Sequence, residues 1–294
     1  MSAQSKAVRP RRSVLYMPGS NARAMEKART LHADGLILDL EDAVAPESKD
    51  LARKQVTEAV AAGGFGYREV IIRINGLGTP WGHADMEAAA KAKPDAILIP
   101  KINDADEVQL ASALAAQHGA PPDVAIWAMI ETPDAIFNAR NIARAGGRLQ
   151  CLVMGTNDLV KEMNGLHTPG REGLMASLTL SVLAARGAGI AILDGVYNDI
   201  QNAEGFDIVC AQGRAIGFDG KTLIHPSQVE PCNAAFAPSE AEVAAARKVL
   251  AAFDLPENKG KGAISLDGRM VELLHAEIAR RTVALADAIA AHRA

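Results

Sequence analysis

Eight short apolar runs, separated by polar breaks and amphipathic stretches, constrain this chain more than any other feature. They span residues 13–17, 35–40, 70–75, 96–101, 124–130, 149–154, 190–196 and 218–225. Most are nearly continuous hydrophobics rather than alternating patterns, as in strands buried on both faces of a helix-covered parallel sheet. Between them, 21–31, 48–62 and 104–117 place good helix formers at helical spacing. Eight strand–helix units predict an α/β fold, a (β/α)8 TIM barrel over residues 11–235. A doubly wound open sheet is the alternative, weakened because no Gly-rich dinucleotide turn follows the first run.

Composition agrees with this. Hydrophobic residues make up 49% of the 294, dominated by Ala, Val, Ile and Leu, and aromatics only 4%. That suits a barrel interior of branched aliphatics. The net charge of −4, with scattered Lys and Arg, argues against a nucleic-acid surface. The one basic cluster, Arg9, Arg11 and Arg12, reads as a solvated tail. Cys151, Cys210 and Cys232 have no metal-type spacing and read as reduced packing residues. No apolar run approaches the ~20 residues of a membrane span, and the first ten residues lack a secretory apolar stretch. The expectation is a soluble, cytoplasmic protein without membrane or nucleic-acid partners.

From 236 to 294 the sequence changes to a C-terminal helical extension. Ser239 and Glu242 are spaced as a capping box, and Val243, Ala246, Leu250 and Phe253 then share one face. A Gly-rich break at 256–262, a short segment at 263–270 and a last helix follow, with Leu274, Ile278, Leu285 and Ile289 on one stripe. Such a helix beyond a hinge serves as a lid on another subunit or caps its own barrel.

Barrel active sites form where the strands end. Polar residues at those positions are Asp39, Glu41 and Asp42 after the second run, Arg73 after the third, Lys101 after the fourth and Glu131 after the fifth. Asn157 and Asp158, Asp194, and His225 follow the sixth, seventh and eighth. Carboxylates gathered on one rim raise each other's pKa unless a cation binds. One or two carboxylates with open positions for water describe a Mg2+ site, and no His/Cys set competes for zinc. Asp158 and Asp42 read equally as helix caps. Arg73 needs an anionic partner: a substrate carboxylate held by its guanidinium fork, or Asp39 or Glu41, which would make it structural.

Blocks of sequence then fall into a known order: RSVLYMPGS (12–20), LDLEDAV (38–44), RINGL (73–77), IPK (99–101), IETP (130–133), GTNDL (155–159) and FDGKTLIHPSQV (218–229). Together they resemble the citrate lyase beta subunit/malyl-CoA lyase family, within the HpcH/HpaI-type class II aldolases. The resemblance implies that Glu131 and Asp158 hold Mg2+ (or Mn2+ in its place), and that Arg73 contacts a 2-oxoacid oxygen. It implies that Tyr16, Lys27, Asn157, Ile224 and His225 line the substrate or CoA path. Asp39, Glu41 and Asp42 would then hold metal-bound water or orient Arg73, with Lys101 and Asp194 supporting the rim. Residues 262–272 resemble the family's lid over a neighbouring subunit's site, with Glu272 as its acid/base. Two positions depart from the pattern: Glu272 stands where Asp is usual, and Asn21 where some malyl-CoA lyases carry Arg.

The implied function is Mg2+-dependent, reversible carbon–carbon cleavage of a malyl-, citramalyl- or citryl-CoA-like thioester to acetyl-CoA, or another acyl-CoA, and a 2-oxoacid. The implied assembly is a homotrimer or homohexamer. A CoA-independent 2-oxoacid aldolase, a malyl-CoA thioesterase and a non-catalytic acyl-CoA/2-oxoacid sensor are the alternatives.

Overall fold

The eight apolar runs form eight parallel strands, and the last pairs with the first to close a barrel. The computed structural model describes residues 8–292. The strands are β1 (Ser13–Pro18), β2 (Gly35–Asp39), β3 (Glu69–Arg73), β4 (Ala96–Ile99), β5 (Ala125–Ile130), β6 (Leu149–Met154), β7 (Ala191–Asp194) and β8 (Gly220–Leu223). The surrounding helices are α1 (Ala22–Ala28), α2 (Lys49–Ala62), α3 (Gly82–Ala92), α4 (Ala105–Gln117), α5 (Pro133–Ala143), α6 (Thr156–Glu162), α7 (Met175–Ala188), α8 (Ala203–Ile216) and α9 (Val229–Phe236). Several open on side-chain caps: Asn21, Asp104, Thr132 and Asn202 each accept a first-turn backbone N–H.

Alternate residues of each strand fill the lumen or pack beneath the helices. Val14, Ile37, Ile71, Leu98, Trp127, Met129, Val153 and Leu193 form the inner core. Leu15, Leu38, Ile72, Ile97, Ile126, Leu152 and Leu223 belong to the layer between barrel and helices. Both faces are apolar, so the strand sequences show no alternation. β2, β3, β4, β7 and β8 end before their apolar runs do; the fourth ends at Ile99, and Lys101 already has a left-handed backbone (φ 54°).

The basic cluster at the start of the barrel is not a solvated tail. Arg11 donates to both oxygens of Glu69 (2.6 and 2.7 Å) and lies 5.1 Å over the Trp127 ring. Arg12 is buried and makes a two-bonded pair with Asp34 (2.8 and 2.7 Å). Burying carboxylates at the strand N-termini demands these guanidinium partners. The three cysteines are buried free thiols.

The chain divides into two compact units, Arg11–Phe236 and a second one that takes in Ala237 onward. In the second, the Ser239–Glu242 capping box forms and starts α10 (Glu240–Asp254), which packs on α11 (Leu273–Ala291). Ala276, Ala279 and Ile289 are the buried positions of α11, whereas Leu274 and Ile278 of the expected stripe are exposed. Segment 263–270 is part of a hairpin. β9 (Ala263–Leu266) pairs antiparallel with β10 (Arg269–Glu272) through Asp267 (φ 52°) and Gly268 (φ 74°). Two consecutive positive φ values suit the strand twist, which is why Asp-Gly occupies such turns. Among the described residues no helix is long and apolar enough to cross a membrane.

Candidate active site

Strand parity carries four polar residues into the mouth of the lumen. Tyr16, Asp39, Arg73 and Glu131 each stand two residues beyond an inward apolar residue: Val14, Ile37, Ile71 and Met129. With Asp42, Asn157, Asp158 and Ile224 they line a cavity of about 300 Å³. Met129, Met154, Val196 and Thr222 are also part of its wall. The sequence reading did not single out these four; extending the inward parity by one step reaches Met129.

Arg73 is fully engaged. Its Nε and Nη2 donate to the two oxygens of Asp39, both at 2.6 Å, while Nη1 lies 2.7 Å from Glu41 Oε2 and 3.7 Å from Asp42 Oδ2. The guanidinium carbon sits 4.8 Å from the Tyr16 ring centre. Burial works against its charge, but Asp39 and Glu41 outweigh it and hold the group well above the ordinary arginine value. Of the two partners foreseen for Arg73, the carboxylates of its own chain are the ones in contact.

A second polar layer fixes those carboxylates. Lys49 Nζ donates to the carbonyls of Leu40 (2.9 Å) and Glu41 (2.8 Å) and to Asn75 Oδ1 (2.8 Å). Asn75 donates to Leu40 O and Asp85, and Asp85 accepts from Arg53 at 2.6 Å. The residues after β2 and β3 are therefore cross-tied, which holds Glu41 and Asp42 against Arg73. Sequence reasoning missed Lys49 and Asp85, which lie on α2 and α3 after the strand ends that it searched.

Glu131 is almost fully buried, and its Oε1 accepts the Lys101 backbone N–H at 2.7 Å. Desolvation first, then the nearby Glu41 and Asp158 charges, push its carboxyl up to about 8, against the lowering effect of that N–H and of Arg73. Glu41, also raised chiefly by burial, reaches about 7. Gly155 occupies the inward position beside Glu131, and a Cβ there would overlap the Glu131 side chain. Asp158 lies half-buried in the first turn of α6, whose N-cap is Gly155, so it caps nothing. Lys101 is exposed. Burial lowers its pKa, but Asp158, Glu41, Glu131 and Asp42 together raise it above the ordinary value.

Of the other expected residues, Asp194, His225, Lys27 and Glu272 are not among the cavity lining, whereas Asn157 is. Asp194 points outward, paired with Arg171 (2.8 Å) and the fully buried Lys221 (3.1 Å). Its neighbour Leu193 takes the inward position, so Asp194 ties barrel to helices rather than supporting the rim. His225 is exposed and turned to its own chain, its Nδ1 lying 2.7 Å from Ser227 Oγ. Lys27 is exposed in the last turn of α1. Asn157 exchanges amide hydrogen bonds with Asn198 (3.2 and 2.8 Å), a partner the sequence did not suggest. Glu272, in the C-terminal unit, caps α11 in a box with His275, and Asp267 pairs with Lys248 at 2.6 Å.

The model of the HpcH/HpaI aldolase/citrate lyase family matches residues 12–226, the whole barrel but its last helix. The chain belongs to this family. The family is one of enzymes, and the resemblance seen in the ordered blocks holds. The chain is 50% identical over 285 residues to a (3S)-malyl-CoA thioesterase from Cereibacter sphaeroides, covering 97% of this chain and 98% of that protein. It is 36% identical over 277 residues to the citrate lyase subunit beta of Escherichia coli K12, covering 92% and 91%. Among solved structures it is similar to CitE from Mycobacterium tuberculosis in complex with magnesium, acetoacetate and coenzyme A. That likeness has a TM-score of 0.73 and 30% identity over 93% of this chain and 97% of that one.

Proposed function

We propose that the rim holds a divalent cation at Glu131 and Asp158 and that the enzyme hydrolyses a malyl-CoA-class thioester to free CoA and a hydroxy-dicarboxylic acid. One observation carries the reading: Glu131, Asp158 and Arg73 line one cavity in a chain half-identical to a malyl-CoA thioesterase. The sequence alone put carbon–carbon cleavage first. Hydrolysis moves ahead because the relative named for it shares more of the chain than citrate lyase subunit beta does. The Glu272 departure lies in the lid-like block, where a lyase must exclude water and a hydrolase must admit it.

The donor set fits Mg2+. The Glu131 carboxyl is pushed up by burial first and then by the neighbouring Glu41 and Asp158 charges, and Gly155 leaves its carboxylate the space a side chain would fill. Among the described residues no cluster of three or more His, Cys, Asp or Glu is poised for a metal. Two carboxylates with open positions suit a cation that keeps several waters. When bound, such an ion supplies Lewis-acid charge to a substrate oxygen and orients the hydroxyl-bearing end.

Arg73, immobilised by Asp39 and Glu41, supplies a fixed positive charge for a substrate carboxylate or developing oxyanion without reorganising. Tyr16, Asn157 and Ile224 form the wall along which the acyl chain enters. Water adds to the thioester carbonyl carbon and gives its proton to a base. The tetrahedral oxyanion then collapses, the C–S bond breaks, and the CoA thiolate takes the proton back. Glu272, in a lid from a neighbouring subunit of a homotrimer or homohexamer, is the acid/base.

Carbon–carbon lysis is the second reading, favoured by the 36% identity to citrate lyase subunit beta. Incubation with Mg2+ and malyl-CoA separates the two. Free thiol without acetyl-CoA is the expected result, acetyl-CoA with glyoxylate establishes the lyase, and neither product overturns the thioester reading.

A further inference from the structure

One side chain, Asn103, ties the turn after β4 to the turn after β5. Its Nδ2 donates to the Lys101 carbonyl (3.0 Å), and its Oδ1 accepts the Thr132 hydroxyl (2.5 Å). Its backbone is engaged as well: the N–H donates to Glu107 Oε2 (2.6 Å), and the carbonyl accepts from Asn138 Nδ2 (2.9 Å). Lys101 in turn donates its N–H to Glu131 Oε1 (2.7 Å), and Glu131 is joined to Thr132 by the peptide bond. Glu131, Lys101, Asn103 and Thr132 therefore form a closed ring of three hydrogen bonds and the chain itself. Lys101 carries a left-handed backbone (φ 54°) within that ring. A residue with a Cβ stays there only where its surroundings over-determine it, and the ring claims both its N–H and its carbonyl.

The ring also sets the two oxygens of Glu131 apart. Oε1 is occupied by the Lys101 N–H. Oε2 lies beside Gly155, the N-cap of the helix whose first turn carries Asp158, and accepts no hydrogen bond among the described residues. A glutamate side chain free to rotate must be ordered by the ion it binds, whereas one already held meets the ion without that loss. We propose that Asn103 is a positioning residue of the cation site: it closes the ring that holds Glu131 Oε1 on the turn and leaves Oε2 for a divalent cation. The proposal rests on the Glu131–Asp158 reading. Asn103 is not among the cavity lining, so it acts only through Lys101 and Glu131.

The test is titration of the metal-free enzyme with Mn2+, counting free ion by electron paramagnetic resonance. Asn103→Asp keeps the side chain's size and an oxygen for Thr132 but removes the donor to Lys101, and Asn103→Ala removes both ring bonds. Each is expected to bind Mn2+ about tenfold or more weakly than wild type, the usual effect of losing a partner that orients a ligand. The added negative charge of Asn103→Asp by itself favours a cation, so weaker binding there reports the ring and not the charge. Asn138→Ala removes another side-chain tie of the same turn, leaves the ring intact and is expected to keep wild-type affinity. That comparison separates positioning from a general loosening of the turn. Wild-type affinity in either Asn103 variant, or an equal loss in Asn138→Ala, with Glu131→Gln impaired, overturns the positioning role alone. A wild-type protein that binds no Mn2+, or a Glu131→Gln variant that binds it as well as wild type, overturns the cation reading and this inference with it.

Discussion

At Glu131, burial places a carboxyl where its charge is unwelcome without a cation. The folded group titrates near 8 and the ordinary value is 4.5. Between those values the folded chain keeps a proton that the unfolded chain has released, so metal-free stability falls as pH rises through that window. Glu41 acts in the same direction up to about 7. Thermal melting of the metal-free enzyme is expected to decline from pH 4.5 to about 8, less steeply in Glu131→Gln. A wild-type slope no steeper than the variant's would contradict the burial argument. The same residue shows what sequence can and cannot tell. An acid after the fifth strand was legible; that Arg73 is held by Asp39 and Glu41 was not, because both of its possible partners were chemically sound.

Among the elements, parity decides which strand-end acids serve the mouth. Glu131 continues the inward set of β5, whereas Asp194 follows the inward Leu193 and turns to Lys221 and Arg171. Strands apolar on both faces hide that parity, so the two acids look alike in sequence. Gly155 is the complementary element-level feature. Its missing side chain on β6's continuation is what admits Glu131 from β5. Gly155→Ala is expected to lose about 1–3 kcal/mol in urea unfolding, the usual cost of overpacking, and to weaken Mn2+ binding. Wild-type stability and affinity in that variant would show that the two strands do not share the space as described. The β9–β10 hairpin was written in the sequence as Asp267-Gly268, a turn signal that the reading of 263–270 as a short segment did not use.

For the molecule as a whole, eight near-continuous apolar runs with helical spacing between them pointed to a (β/α)8 barrel over a doubly wound open sheet, which also buries parallel strands on both faces, because no Gly-rich dinucleotide turn follows the first run. The N-terminal arginines Arg11 and Arg12 were misread because their partners, Glu69 at the start of β3 and Asp34 just before β2, are 58 and 22 residues away and meet them only once the strands are assembled side by side. The ordered blocks carried family membership; what separates hydrolysis from lysis within it rests on a few residues such as Glu272. The central claim is that one divalent cation sits at the strand mouth. Diffraction from crystals soaked in Mn2+ and CoA, recorded at the manganese edge, tests it directly. A single anomalous peak between the Glu131 and Asp158 carboxylates is predicted, and a peak elsewhere, or none, would contradict the account.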